Sequence, residues 1–81
     1  MATNVKKEFQ DMLHQLTGFG VSEYARDQIA CSTIYNVYTY EDDFDYVYRR
    51  IAYFTSCWEN VYITGVSIGN TIVVCVDEVK S

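Results

Sequence analysis

The chain has 81 residues, 49% of them apolar and 16% aromatic, and a formal net charge of −5. That length suits a single domain, expected over residues 1–81, and the apolar share argues against a disordered chain. Six basic residues (Lys6, Lys7, Arg26, Arg49, Arg50 and Lys80) against eleven carboxylates argue against nucleic acid as a direct partner, because phosphate binding needs clustered lysine and arginine.

Residues 4–17 read as the first helix. Val5, Phe9, Met12, Leu13 and Leu16 recur at three- and four-residue steps and make one apolar stripe. Thr3 or Asn4 can cap its start, and Gly18 suits the left-handed position after its end. Lys7 and Asp11 form an i,i+4 pair. Gly20 lets the chain turn, and Ser22 then reads as the N-cap of a short helix over about 22–30. From Ser32 onward the residues are β-branched and aromatic, which favours a strand. A single long helix through residue 38 is the rival reading.

The next helix is expected over roughly 43–58, capped by Asp42 or Asp43, with the acidic residues in its first turn, where the helix dipole favours them. Phe44, Val47, Tyr48, Ile51, Phe54 or Thr55, and Trp58 should face the core. Tyr46, Arg49, Arg50 and Tyr53 should point elsewhere as an exposed stripe. Two strands follow, Val61–Ile68 and Thr71–Val79, joined by a two-residue turn at Gly69-Asn70. That turn would set Ile68 opposite Thr71 and Val66 opposite Val73, with a bulge at Gly65. Residues 72–76, Ile-Val-Val-Cys-Val, are apolar on both sides and call for cover on both faces. The fold class is α+β: helix, short helix, strand, helix and β-hairpin, with the helices on one face of a small antiparallel sheet.

No constellation specifies a reaction. Cys31, Cys57 and Cys75 are odd in number and widely spaced, and read as three reduced, core-filling thiols in a cytoplasmic protein. With His14 they could compose a Cys₃His zinc set, but no closely spaced cysteine pair supports it. A Cys57 nucleophile would need a neighbouring base. The Asp-Asp-Phe-Asp run lacks the glycine and distal glutamate of an EF-hand. Gly18-Phe19-Gly20 lacks the remainder of a phosphate loop. The expectation is a protein without catalytic residues, metal or cofactor. The N-terminal stretch has no apolar run of signal-peptide length, and nothing approaches the ~20 apolar residues of a membrane span.

The stretch 33–58 holds six of the eight tyrosines, the one tryptophan and four of the eleven carboxylates. Too many rings occur here for so small a core. Tyr38, Tyr40, Glu41, Asp42, Asp43, Asp45, Tyr46 and Tyr53 are therefore expected to form a partner-binding surface. Aromatic anchors would supply its energy, and acids would steer the encounter with a basic partner. A small, acidic, proline-free chain with the patch Tyr38-Thr-Tyr-Glu-Asp-Asp-Phe-Asp-Tyr46 resembles phage-encoded inhibitors of bacterial defence systems, anti-CRISPR proteins among them. The resemblance is one of profile and carries no family residue onto this chain. It implies a non-enzymatic protein in the host cytoplasm. Such a protein would block a basic, nucleic-acid-handling effector, such as a CRISPR effector, through protein–protein contact. The competing reading is a self-associating homodimeric module, motivated by the doubly apolar strand.

Overall fold

The computed structural model describes residues 4–67 and 70–77. Thr3 of the expected cap, Ile68 and Gly69 of the expected turn, Glu78 and Val79 of the last strand, and Lys80 lie outside them.

Helix α1 spans Val5–Leu16 and is followed by strands β1 (Val21–Ile29) and β2 (Ser32–Thr39). A 3₁₀ turn over Glu41–Asp43 leads into helix α2 (Phe44–Ser56), and strands β3 (Val61–Ser67) and β4 (Thr71–Asp77) complete the chain. The four strands form one sheet in the order β1-β2-β4-β3, with every neighbouring pair antiparallel. Strands β2 and β3 both flank β4, so they run parallel to each other and are linked through α2, a split βαβ arrangement. The α+β class is as expected, with the helices on one face of an antiparallel sheet.

The apolar stripe of α1 does what its spacing demands. Phe9, Leu13 and Leu16 are buried, the Asn4 side chain accepts a hydrogen bond from the Lys7 amide at 3.1 Å, and Lys7 Nζ reaches Asp11 at 3.1 Å. Gly18 takes φ +90° just past the C-cap Thr17. The core joins these residues to Val21, Tyr35, Val37, Phe44, Val47, Ile51, Val61, Ile72, Val74 and Val76. The Phe9 ring meets Tyr35 of the sheet edge-on at 4.9 Å and Phe54 of α2 at 5.2 Å, tying both helices to the sheet. Each such fully buried side chain contributes about 1.5–3 kcal/mol relative to exposure, and conformational entropy offsets most of the sum.

Four local expectations are corrected. Residues 22–30 are not a helix. They form the sheet-edge strand β1, which closes on β2 through Ala30-Cys31, with Ile29 opposite Ser32 and Ala30 at φ +55°. Most of β1 is exposed on both sides, so its sequence carries no apolar alternation to announce a strand. Asp43 occupies the N-cap position of α2 but its side chain makes no capping bond, because the preceding turn is already 3₁₀. Tyr48 is exposed, its ring stacked on Phe44 at 6.1 Å. The hairpin closes on the pair Ser67↔Thr71, which puts Val66 opposite Ile72 instead of Val73. The register does shift between Ile63 and Gly65, as the glycine suggests.

Candidate functional site

Alternation along β2 and β4 assigns the two faces of the sheet. Thr33, Tyr35, Val37 and Thr39 of β2 and Ile72, Val74 and Val76 of β4 are buried beneath the helices. Their neighbours Ser32, Ile34, Asn36 and Tyr38, and Thr71, Val73, Cys75 and Asp77, point the other way. Cross-strand pairing adds Glu23, Ala25, Asp27 and Ile29 from β1, and Tyr62 from β3, to that second face. No helix covers it.

The chain leaves this open face at Tyr38 and crosses to the helix layer through the acidic turn. Tyr40 is 52% exposed, and its amide donates to the Gly20 carbonyl at 2.9 Å. Glu41, Asp42 and Asp45 are exposed and Asp43 is half-buried. Tyr46 follows on the first turn of α2, 50% exposed. The turn containing Gly20, at φ +127°, packs tightly here: a Cβ at this position would lie 2.7 Å from Val47 Cγ2 and 3.3 Å from Asp43 Cβ. Phe19, in the same turn, is 74% exposed. Its place beside the acidic turn was not legible in the sequence, since only the long-range contact of Gly20 with α2 sets it there.

The structure thus brings Tyr38, Tyr40, Glu41, Asp42, Asp43, Asp45 and Tyr46 to one end of the molecule, and it separates Tyr53 from them. Tyr53 is 73% exposed and lies two turns along α2, in a groove with Glu8, Met12 and Phe54. Arg50 stands between the two tyrosines, its Nη1 donating to the Tyr46 hydroxyl at 3.1 Å, so the acidic character ends at Tyr46.

The far end of the open face holds a second cluster, centred on Asp77. Its carboxylate accepts from the Ser32 hydroxyl, from the Cys75 thiol at 3.3 Å and from the Tyr62 hydroxyl at 3.1 Å. The Ser32 and Cys75 bonds outweigh desolvation and hold the carboxyl below its ordinary value, with Tyr62 adding a smaller part. Hydrogen bonding with Cys75 and with Asp77 in turn pushes the Tyr62 phenol up to about 12. These donors fix the carboxylate as an anion in the sheet surface.

Cations lie elsewhere. Lys6, Lys7 and Arg26 line a groove of about 630 Å³ between α1 and β1, together with the imidazole of His14. There Arg26 donates to Gln10 at 3.0 Å, and Tyr24 and His14 share a hydrogen bond of 3.2 Å. Cys31 and Cys57 are exposed and only Cys75 is buried, a correction to the reading of three core-filling thiols. Among the described residues, no three histidine, cysteine or carboxylate side chains converge in a metal-binding geometry, and no helix is long and apolar enough to cross a membrane. In comparisons with known proteins, no family model, curated protein or solved structure matches the chain.

Proposed function

We propose that the protein is a non-enzymatic binding protein that inhibits a basic, nucleic-acid-handling effector in the manner of anti-CRISPR proteins, acting in the cytoplasm of a phage-infected cell. One observation supports this most directly: exposed Tyr38, Tyr40 and Tyr46 share one end of the molecule with exposed Glu41, Asp42 and Asp45. Tyrosines bury large area at small entropic cost, and adjacent carboxylates orient a cationic partner and speed its approach. Tyr53, which is set apart with Arg50, takes a peripheral role.

The test replaces Glu41, Asp42, Asp43 and Asp45 with lysine, alongside a companion set carrying glutamine and asparagine. The companion guards against simple loss of helix-dipole stabilisation at the start of α2. Capture from nuclease-treated bacterial lysate should yield a nucleic-acid-binding protein whose activity the wild type inhibits. The lysine set should lose capture and inhibition, and the neutral set should weaken both. Unchanged capture by a folded lysine set would refute the reading.

A further inference from the structure

We propose that the open face of the sheet is itself a docking surface, and that its occupant is an arginine- or lysine-bearing segment of the partner protein. The proposal rests on the reading above that the partner is basic, and it adds where that partner lies. The centre of the face is largely apolar, with Ile34, Val73 and Cys75 interrupted by Asn36 opposite Val73, and the rings of Tyr38 and Tyr62 lie to either side. Its ionic residues are Glu23, Asp27 and Asp77, and no described lysine or arginine points to this side. Lys6 and Lys7 are on α1, Arg49 and Arg50 are on α2, and Arg26 pairs with Tyr35 on the covered side. The only ion pair among the described residues is Lys7–Asp11, so within those residues none of these three carboxylates is paired with a cation.

Charge decides between occupants. A second copy laid face to face would bring two sets of these carboxylates into one interface with nothing to neutralise them. Desolvating such unpaired ions costs several kcal/mol each. An anionic lipid surface meets the same repulsion. A cationic segment meets none, and its apolar residues can cover Ile34 and Val73. Glu23 and Asp27 are four strand residues apart, about 13 Å. Matching cations on the segment should therefore be spaced by about the same distance. The acidic turn adjoins the Tyr38 end of this face, so both regions can engage one partner.

The experiment uses protein labelled at its methyl groups and backbone amides, and a defined probe, a nine-residue peptide of alternating arginine and leucine, with a glutamate–leucine peptide as control. Binding should shift the methyl resonances of Ile34 and Val73 and leave those of Val47 and Ile51 in place. Asp27→Lys and, independently, Ile34→Ser should each weaken binding about tenfold. Shifts confined to residues 40–46 would overturn this proposal and leave the acidic-turn reading standing. No response in either region at low salt would sink both. Equal shifts with the glutamate–leucine peptide would also overturn it. So would sedimentation of the free protein as a dimer that Ile34→Asp dissociates, since the face would then belong to a second copy.

Discussion

The two faces of the sheet are built from alternate residues of the same strands yet meet opposite surroundings. Beneath the helices, Tyr35, Val37, Ile72 and Val74 are wholly enclosed. On the other side, Ile34, Val73 and Tyr62 border solvent, and the one buried member, Cys75, shares its thiol hydrogen with Asp77. Aliphatic content alone does not set the faces apart, because β4 is apolar in both directions. They differ in what the helices can reach. Two helices of 12 and 13 residues cover one side of a four-stranded sheet. The stability of the fold comes from that side, and the other is the one proposed for recognition.

The sharpest way to break this contrast is at Gly20, where the turn after α1 presses on α2. Gly20→Ala puts a methyl into Val47 at a φ that side chains rarely adopt. A loss of about 2–4 kcal/mol in denaturant unfolding is expected. A loss under ~0.5 kcal/mol would mean that the turn does not hold the helix layer where described.

Next come two adjacent positions on β4 that differ only in face. Val74→Ala should cost about 2 kcal/mol, the lost transfer energy plus a small cavity. Val73→Ala should cost less than about 1 kcal/mol, because its side chain is only half-buried. Equal costs would mean that the open face is covered in solution, which would favour self-association.

The smallest effects concern pH. Asp77 titrates lower when folded than when unfolded, so its contribution is present above the ordinary carboxylate range and fades as pH falls through its folded value. Tyr62 titrates higher when folded, so its contribution is complete below pH 10 and is lost as pH rises toward about 12. The stability advantage of the wild type over Tyr62→Phe should therefore shrink between pH 10 and 12. In a spectrophotometric titration, Tyr62→Phe should also lack an absorbance step near pH 12. An unchanged step would show that Tyr62 does not engage Asp77 and Cys75.

Much of the covered side could be read in the sequence, because burial imposes periodicity. The stripe Phe9-Leu13-Leu16, the buried Phe44-Val47-Ile51 row of α2, the Gly18 stop and the Gly65 register shift are all local signals. So was the demand of residues 72–76 for cover on both faces, although the sequence could not show which face would go without. The rest was hidden for definite reasons. Strand β1 lies at the sheet edge, where Ser22, Glu23, Arg26, Asp27 and Gln28 meet water on either side and leave no pattern. The hairpin register depended on how many residues the turn takes up. Closure at Ser67↔Thr71 moved Val66 to the other face from the one a two-residue turn would give. Of the expected binding residues, those from 38 to 46 come together because the chain is continuous there. Tyr53 shares a helical face with Tyr46 and still falls outside, because the acids end where Arg50 begins. The Ser32–Tyr62–Cys75–Asp77 cluster draws on three strands and has no signature in any one of them.

Hydrogen–deuterium exchange on the protein, alone and bound to its captured partner, tests most directly where recognition occurs. Protection is expected in peptides covering residues 32–46 and 71–77, with residues 5–16 and 48–56 exchanging as in the free protein. Protection of the two helices with the acidic turn and the open strands unchanged would contradict the account.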